Sequence, residues 1–391
     1  MRKIERLTHN LQLACFLLGL ILKPFYIFPS GSIQIGDCLV MLSFLLMIAS
    51  DGSIVYDKRD KYLFTYFFFV ILINTIYFLI YRYEGFLTHI GYFAFNISII
   101  LIIRKDHSWE TLKAISTCSK INILIQLLIY LFGMGRWLGA YRYQGTFNDP
   151  NQFAFSVFSF FLIVYCVEIR NRSLKIYIYY LISLFLVRKS NSMGMTIGMV
   201  FVLIGDLIYR ITQIDSKRRR AAYFVFMVIG LIAISIYFLN VYFKWSEGLL
   251  VSDEMFRRLT RKRTKFGGSW LYSFIRDRNL VGVINHPEVF LYGSGGGHME
   301  RFSITGDRRE LHSTWIALAF YYGIIPFLFL ISWIQRNLKG IKKIYLVPIL
   351  ALVIESFTLV NFRQPTFWIL FVLVGYCSAD DKPLIPDNKL T

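Results

Sequence analysis

Twelve apolar segments follow one another along this chain, at 11–28, 33–49, 62–81, 86–103, 111–133, 151–168, 174–189, 193–211, 221–243, 313–334, 343–361 and 365–379, and only one connection between them is long. A helix of about 20 apolar residues covers the hydrocarbon core of a bilayer, and lipid offers no partners to backbone N–H and C=O groups, so such runs must be helical. With 56% apolar and 18% aromatic residues in 391, there is more apolar surface than a water-soluble globule can pack. The expectation is an all-α integral membrane protein, a single polytopic membrane domain over 1–391 with about twelve transmembrane helices. The segments 174–189 and 365–379 are short, which predicts tilted, broken or partly re-entrant helices. The start carries Arg2, Lys3 and Arg6, but no small-residue cleavage site follows the first apolar run, so that run is expected to be retained.

Lys and Arg set the orientation, because short basic connections resist translocation. With the N-terminus inside, the short inner connections hold 21 Lys and Arg, and the short outer ones hold six: Arg82, Arg136, Arg142, Arg188, Lys189 and Arg363. Both termini are therefore expected in the cytoplasm. The long connection, 244–311 between the ninth and tenth segments, falls outside. It is basic through Arg257, Arg258, Arg261, Lys262, Arg263 and Lys265 and again through Arg276, Arg278, Arg301, Arg308 and Arg309, but long loops cross irrespective of charge. Such a surface attracts phosphate.

Several function classes drop out. No Walker loop, dinucleotide fingerprint or zinc-protease helix occurs, so the energy for any reaction comes from the substrate or a gradient. Cys15, Cys38, Cys118, Cys166 and Cys377 all fall in apolar segments, which implies neither a disulfide framework nor a zinc site. No nucleic-acid partner is expected.

Three outward clusters carry chemistry. In Tyr141-Arg142-Tyr143-Gln144-Gly145-Thr146-Phe147-Asn148-Asp149-Pro150-Asn151, the second half reads as a helix start, with Asp149 or Asn148 capping and Pro150 at the first helical position. Arg142 between two tyrosines at a membrane surface also suits a phosphate beside sugar rings. Arg188-Lys189-Ser190-Asn191-Ser192 reads either as interfacial snorkelling or as an anion clamp kept outside against the charge bias. The loop's end, Leu291-Tyr292-Gly293-Ser294-Gly295-Gly296-Gly297-His298 and then Arg308-Arg309-Glu310-Leu311-His312-Ser313, offers a glycine run that is either mobile or a nest of amides. His312, at the mouth of a helix and three residues beyond an arginine pair, is placed to take a proton from a hydroxyl while arginines hold an anionic leaving group.

In this order, Arg142-x-x-Gly145 running into Pro150-Asn151, then Gly293-x-Gly295, then His312-Ser313 with Gly323 behind it, the chain resembles the O-antigen ligase and polymerase (Wzy-like) family of bacterial membrane glycosyltransferases. The resemblance implies a GT-C-like architecture on the bacterial cytoplasmic membrane, with the site facing outward. It also implies en bloc transfer of a glycan from undecaprenyl diphosphate to a sugar hydroxyl. His312 matches the family's base, and Arg142 matches its basic residue before Pro-Asn. Arg188 is a looser match, because the usual Ser-Arg order is not reproduced. Arg308 and Arg309 would share the diphosphate, and Asn151, Gly293, Gly295, His298 and Ser313 would shape the acceptor side and the loop. Pro326, where ligases often carry Gly, Thr or Tyr, favours a polymerase of O-antigen, capsule or exopolysaccharide over a ligase acting on lipid A-core. The partners implied are the lipid-linked oligosaccharide, the bilayer, a chain-length regulator and a flippase.

No cofactor and no catalytic metal are expected, since the first outer loop, Phe28-Pro29-Ser30-Gly31-Ser32, lacks a carboxylate. Asp149 is the reservation, an outward carboxylate that could orient His312 or bind a cation. Two readings compete with an enzyme. A lipid-linked glycan transporter would use intramembrane Lys23, Lys120, Asp206 and Glu355 as a path, and a structural partner of polysaccharide machinery would leave the His312 cluster without a role.

Overall fold

The computed structural model describes residues 2–29, 33–51, 54–139, 141–169, 175–219, 221–225, 228, 275–276, 278–302 and 310–379. These are mostly helical. Eight helices match the first eight apolar segments in order: α1 (Arg2–Leu22), α2 (Ile35–Asp51), α3 (Lys61–Tyr81), α4 (Gly85–Lys105), α5 (Trp109–Leu131), α6 (Pro150–Glu168), α7 (Lys175–Lys189) and α8 (Met193–Thr212). Most of the ninth segment, and the loop from Lys244 through the Arg261–Lys265 run, lie outside the described residues. The chain then continues through α9 (Val281–Asn285), α10 (Val289–Tyr292), α11 (Thr314–Tyr322), α12 (Ile324–Leu338), α13 (Lys343–Glu355) and α14 (Pro365–Ala379). Among the described residues, five helices are long and apolar enough to cross a bilayer, namely α3 with its leading turn, α4, α5, α6 and α8, and shorter apolar helices lie in α1, α2, α12 and α14.

Three details differ from the sequence expectation. The single segment 313–334 is two helices, broken where Gly323 takes φ +81°. The segment 343–361 stops being helical at Glu355, so 356–364 crosses the end of the bundle before Pro365 opens α14. The connection between α5 and α6 holds a two-stranded antiparallel ribbon, β1 (Arg136–Leu138) with β2 (Arg142–Gly145).

Helices α6 and α14 are buried along almost their whole length and form the core, from Phe153 through Val167 and from Pro365 through Val374. Helices α5, α7 and α14 pack around α6, and α4 lies against α14. Helix α8 approaches α13 closely because its facing residues are small: a side chain at Gly205 would meet Val347, and one at Gly198 would meet Phe158 and the Glu355 stem. Without a hydrophobic drive between helices in lipid, such close backbone approach is what holds them.

The charged residues inside the bundle are each closed locally. Lys23 Nζ is 2.5 Å from Asp37 Oδ1, and Lys120 pairs with Glu168. Asp206 receives Tyr165, Tyr177 and Arg210 at 2.9, 2.6 and 2.8 Å. At the end of the bundle where α4 and α12 finish, Asp60 is loaded on both oxygens. Arg104 donates to each, at 2.9 and 3.0 Å, Trp333 Nε1 donates at 2.9 Å and the Asp57 amide at 2.9 Å. Arg104 also reaches Asn337 Oδ1 (2.6 Å) and Tyr376 Oη (3.1 Å). Every donor here has an acceptor, which is the condition for burying such a pair at all.

Candidate functional site

The opposite end gathers the connections that the charge bias places outside. Asn148 Nδ2 donates to Phe28 O across the first of them at 3.0 Å, Asn191 Nδ2 donates to Tyr141 O at 2.8 Å, and Gln364 Nε2 donates to Tyr26 Oη at 3.3 Å. Four connections, from α1–α2 to α13–α14, thus meet through hydrogen bonds rather than through apolar contact alone.

Arg142 is buried in β2, and its partners come from two other elements. Nε donates to Ser190 O in the α7–α8 turn at 3.1 Å, and Nη2 donates to Asn151 Oδ1 in the first turn of α6 at 2.8 Å. The first two sequence clusters are therefore one unit, and Asn151 orients the guanidinium. The ribbon holds its shape because Tyr143 is packed edge-on against Tyr130, Trp137 and Phe153. Tyr143 is thus a packing residue. Arg188 is half-buried in the last turn of α7, two residues before the Ser190 carbonyl that Arg142 uses. Its neighbour Lys189 lies over the rings of Tyr130 and Phe185.

Asp149 is a helix cap. Its Oδ1 accepts from the Asn151 and Gln152 amides at 2.7 and 3.1 Å, with Pro150 at the first helical position. One carboxylate oxygen is committed to two amides that α6 would otherwise leave unsatisfied.

The glycine run is docked rather than an open nest, because its amides at 294, 295 and 296 are already bonded. Ser294 N donates to Phe320 O at 3.0 Å and Gly295 N to Tyr321 O at 2.8 Å, while Gly296 N donates to Asn74 Oδ1 at 2.8 Å. Phe320 and Tyr321 end α11, so the loop satisfies carbonyls that the break at Gly323 would strand in an apolar interior. A Cβ on Gly293 would sit 2.7 Å from Tyr321 O, and Gly323 faces Gly293 N directly. The motif Gly293-x-Gly295 and the distant Gly323 are two halves of one joint.

Beside that joint, His298 stacks on Tyr83 with centroids 4.8 Å apart, and its Nδ1 is buried without a partner. Burial, and then the nearby Arg301 charge, hold its pKa below the ordinary histidine range. Arg301 lies over Tyr77 and Tyr81 and donates to Ser294 O at 2.5 Å, which pins the loop.

His312 is anchored through its amide, which donates to Arg278 O at 3.0 Å, and the Arg278 guanidinium binds Thr358 O. Thr358 in turn abuts Gly194, two residues past the turn that holds Arg142. His312 and Arg142 are thus joined through packed elements at one end of the bundle. Ser313 precedes α11 with its hydroxyl buried and unpartnered. Arg308 and Arg309, like Ser30, Gly31 and Ser32, lie outside the described residues.

The segment 356–364 adds groups that the sequence reading passed over. Glu355 is fully buried and accepts from Asn361 Nδ2 at 2.5 Å. Arg363 Nη2 contacts Glu310 Oε1 at 2.7 Å, two residues from His312, and His89 Nε2 at 3.2 Å. Burial opposes the Arg363 charge, but the field and hydrogen bond of Glu310 outweigh it and hold the guanidinium above its ordinary range. The available signal was the one used for Arg188: a cation in a short outer connection, against the bias. Among the described residues, no three His, Cys, Asp or Glu side chains converge as a metal site would require. Compared with known proteins, the chain matches no family model and no curated protein.

Proposed function

We propose that this chain is a polysaccharide polymerase of the O-antigen polymerase and ligase type, acting at the outer face of a bacterial cytoplasmic membrane on undecaprenyl-diphosphate-linked glycan. The observation that carries the reading is Arg142, a buried guanidinium held by Ser190 and Asn151 at the same end of the bundle as His312. In the reaction, the acceptor hydroxyl oxygen bonds to the anomeric carbon as the bond from that carbon to the diphosphate breaks. His312 takes the hydroxyl proton, and the undecaprenyl diphosphate leaves with its new charge held by Arg142 and the neighbouring cations. Fixed cations in a dry site stabilise that departing charge more effectively than water does. Asp149, tied up as a cap, serves by placing Asn151 against Arg142.

We favour this reading over transport because the four residues a transport path would use are held locally, Lys23, Lys120 and Asp206 in ion pairs and Glu355 by a hydrogen bond from Asn361. The test is reconstitution. Full-length protein in liposomes, given only undecaprenyl-diphosphate-linked repeat units, yields a ladder of longer chains. Products that appear only after addition of a lipid A-core acceptor identify a ligase instead, and no product in either case refutes the reading.

A further inference from the structure

A polymerase has to hold two lipid-linked substrates at once, and Arg142 accounts for one diphosphate. Arg363 sits apart from it, on the other side of His312 in the chain of contacts. Its guanidinium lies over the Tyr92 ring of α4, 5.3 Å from the centroid. One turn along the same helix, Lys23 Nζ lies 5.4 Å from the Phe95 centroid. This face of α4 therefore carries two cations within a few residues.

The hydrogen bonding around Arg363 is incomplete in a particular way. A guanidinium only donates, so His89 Nε2 must accept from Nη2, and His89 Nδ1 then carries the proton and donates to Tyr322 Oη, 3.2 Å away. That fixes the histidine as an uncharged backing group. Arg363 Nε, on the same edge of the guanidinium as Nη2, is buried with no partner. The hydroxyl of Tyr321, fully buried and within the fields of both Glu310 and Arg363, is approached by the Leu311 amide, and its own proton has no acceptor. Arg363 Nε is thus an open donor on a guanidinium edge that is built to bind two oxygens side by side, and Tyr321, packed on the His89 ring, brings a second O–H donor into the same charged cluster. The chain's own carboxylate, Glu310, uses one point of that edge and is itself partly exposed.

We propose that Arg363, backed by His89 and Tyr321, is a second oxyanion site that takes the diphosphate group of the second lipid-linked substrate, and that Glu310 occupies it until that group arrives. The site rests on the transfer reading above for its biological role, but not for its chemistry. An incoming diphosphate supplies two oxygens to Nε and Nη2 and a third to the Tyr321 hydroxyl, while Glu310 turns outward.

The experiment measures binding stoichiometry and affinity for undecaprenyl diphosphate by native mass spectrometry, on full-length protein in nanodiscs, with inorganic pyrophosphate as competitor. Wild type binds two equivalents. Arg363→Gln keeps one and weakens the other roughly 10- to 100-fold, the loss of a charge-assisted hydrogen bond. Glu310→Gln removes the internal competitor and tightens the same equivalent about tenfold, a gain that misfolding cannot produce. Displacement by pyrophosphate shows that the bare anion suffices, and resistance to it shows that the lipid chain contributes; the site stands in both cases. Two equivalents undiminished in Arg363→Gln, or no tightening in Glu310→Gln, overturns the proposal. Loss of binding in Arg363→Gln with none in Arg142→Gln upholds this site while removing the donor clamp from the function proposed above.

Discussion

The two ends of the bundle each bury arginine beside carboxylate, and they do it differently. Around Asp60 and Arg104 every donor meets an acceptor, drawn from α4, α12, α14 and the turn before α3. Around Arg142, His312 and Arg363, buried polar atoms are left over: Ser313 Oγ, His298 Nδ1, Tyr321 Oη and Arg363 Nε. A closed network serves rigidity, since any ligand entering it would have to break bonds already made. An incomplete one retains bonding capacity for something that arrives later. This contrast gives the Asp60 network a structural role and is a reason we propose the other end for the chemistry.

The comparison is tested most severely by His312→Ala. Losing a general base lowers the transfer rate by roughly 10² to 10⁴, while the protein still inserts and melts as wild type; full activity in reconstituted liposomes returns His312 to a mere helix-start role. The mirror experiment is Asp60→Ala, which strands a buried guanidinium and costs about 3–5 kcal/mol of stability. It is read as a lower melting temperature and yield with turnover per folded molecule preserved, and a selective loss of turnover would erase the distinction between the ends. Gly293→Ala comes next. A residue with φ +81° and ψ 153° is tolerated almost only as glycine, so the substitution costs about 1–3 kcal/mol, measured as faster hydrogen exchange at Ser294 and Gly295.

The smallest effect is pH dependence. The His298 pKa is lowered by burial and then by Arg301, so the unfolded ring takes up a proton that the docked loop resists, and docking is fully favourable above the ordinary histidine value and weakens as pH falls below it. At the other end Asp57, held down to about 2 chiefly by its hydrogen bond from Arg59, contributes stability above the ordinary carboxylate value that is lost only as pH falls toward 2. Between pH 8 and pH 5, amide protection relative to the intrinsic exchange rate should therefore fall at 293–302 and stay constant at 57–60, and equal behaviour at both would break the contrast.

Most helices were legible because a bilayer leaves the backbone one way to satisfy itself, and apolar length reports it directly. The Asp149 cap and Pro150 were legible for a local reason, the chemistry of a helix start. The break at Gly323 was not, because Phe320-Tyr321-Tyr322 and Ile324-Ile325 read as one apolar run and the cause lies 30 residues upstream in Gly293. Arg142 could be picked out by its setting, but its hold on Ser190 spans 48 residues that no local pattern connects. Arg363 entered the sequence reading only as a unit of charge, since its meaning depends on Glu310 and His89 arriving from distant segments.

The joint between Gly293 and Gly323 has a consequence for biogenesis. Helix α11 has nine residues, roughly 14 Å of helix and less than half of a bilayer's apolar thickness, so it is too short to partition into lipid unaided. The inserting machinery meets 313–334 as one apolar stretch and can admit it as a single span, its internal hydrogen bonds intact. The kink can form once the Ser294 and Gly295 amides, synthesised earlier, take over the Phe320 and Tyr321 carbonyls. On this account insertion precedes the break, and the proposed site is assembled only after the span has been accepted.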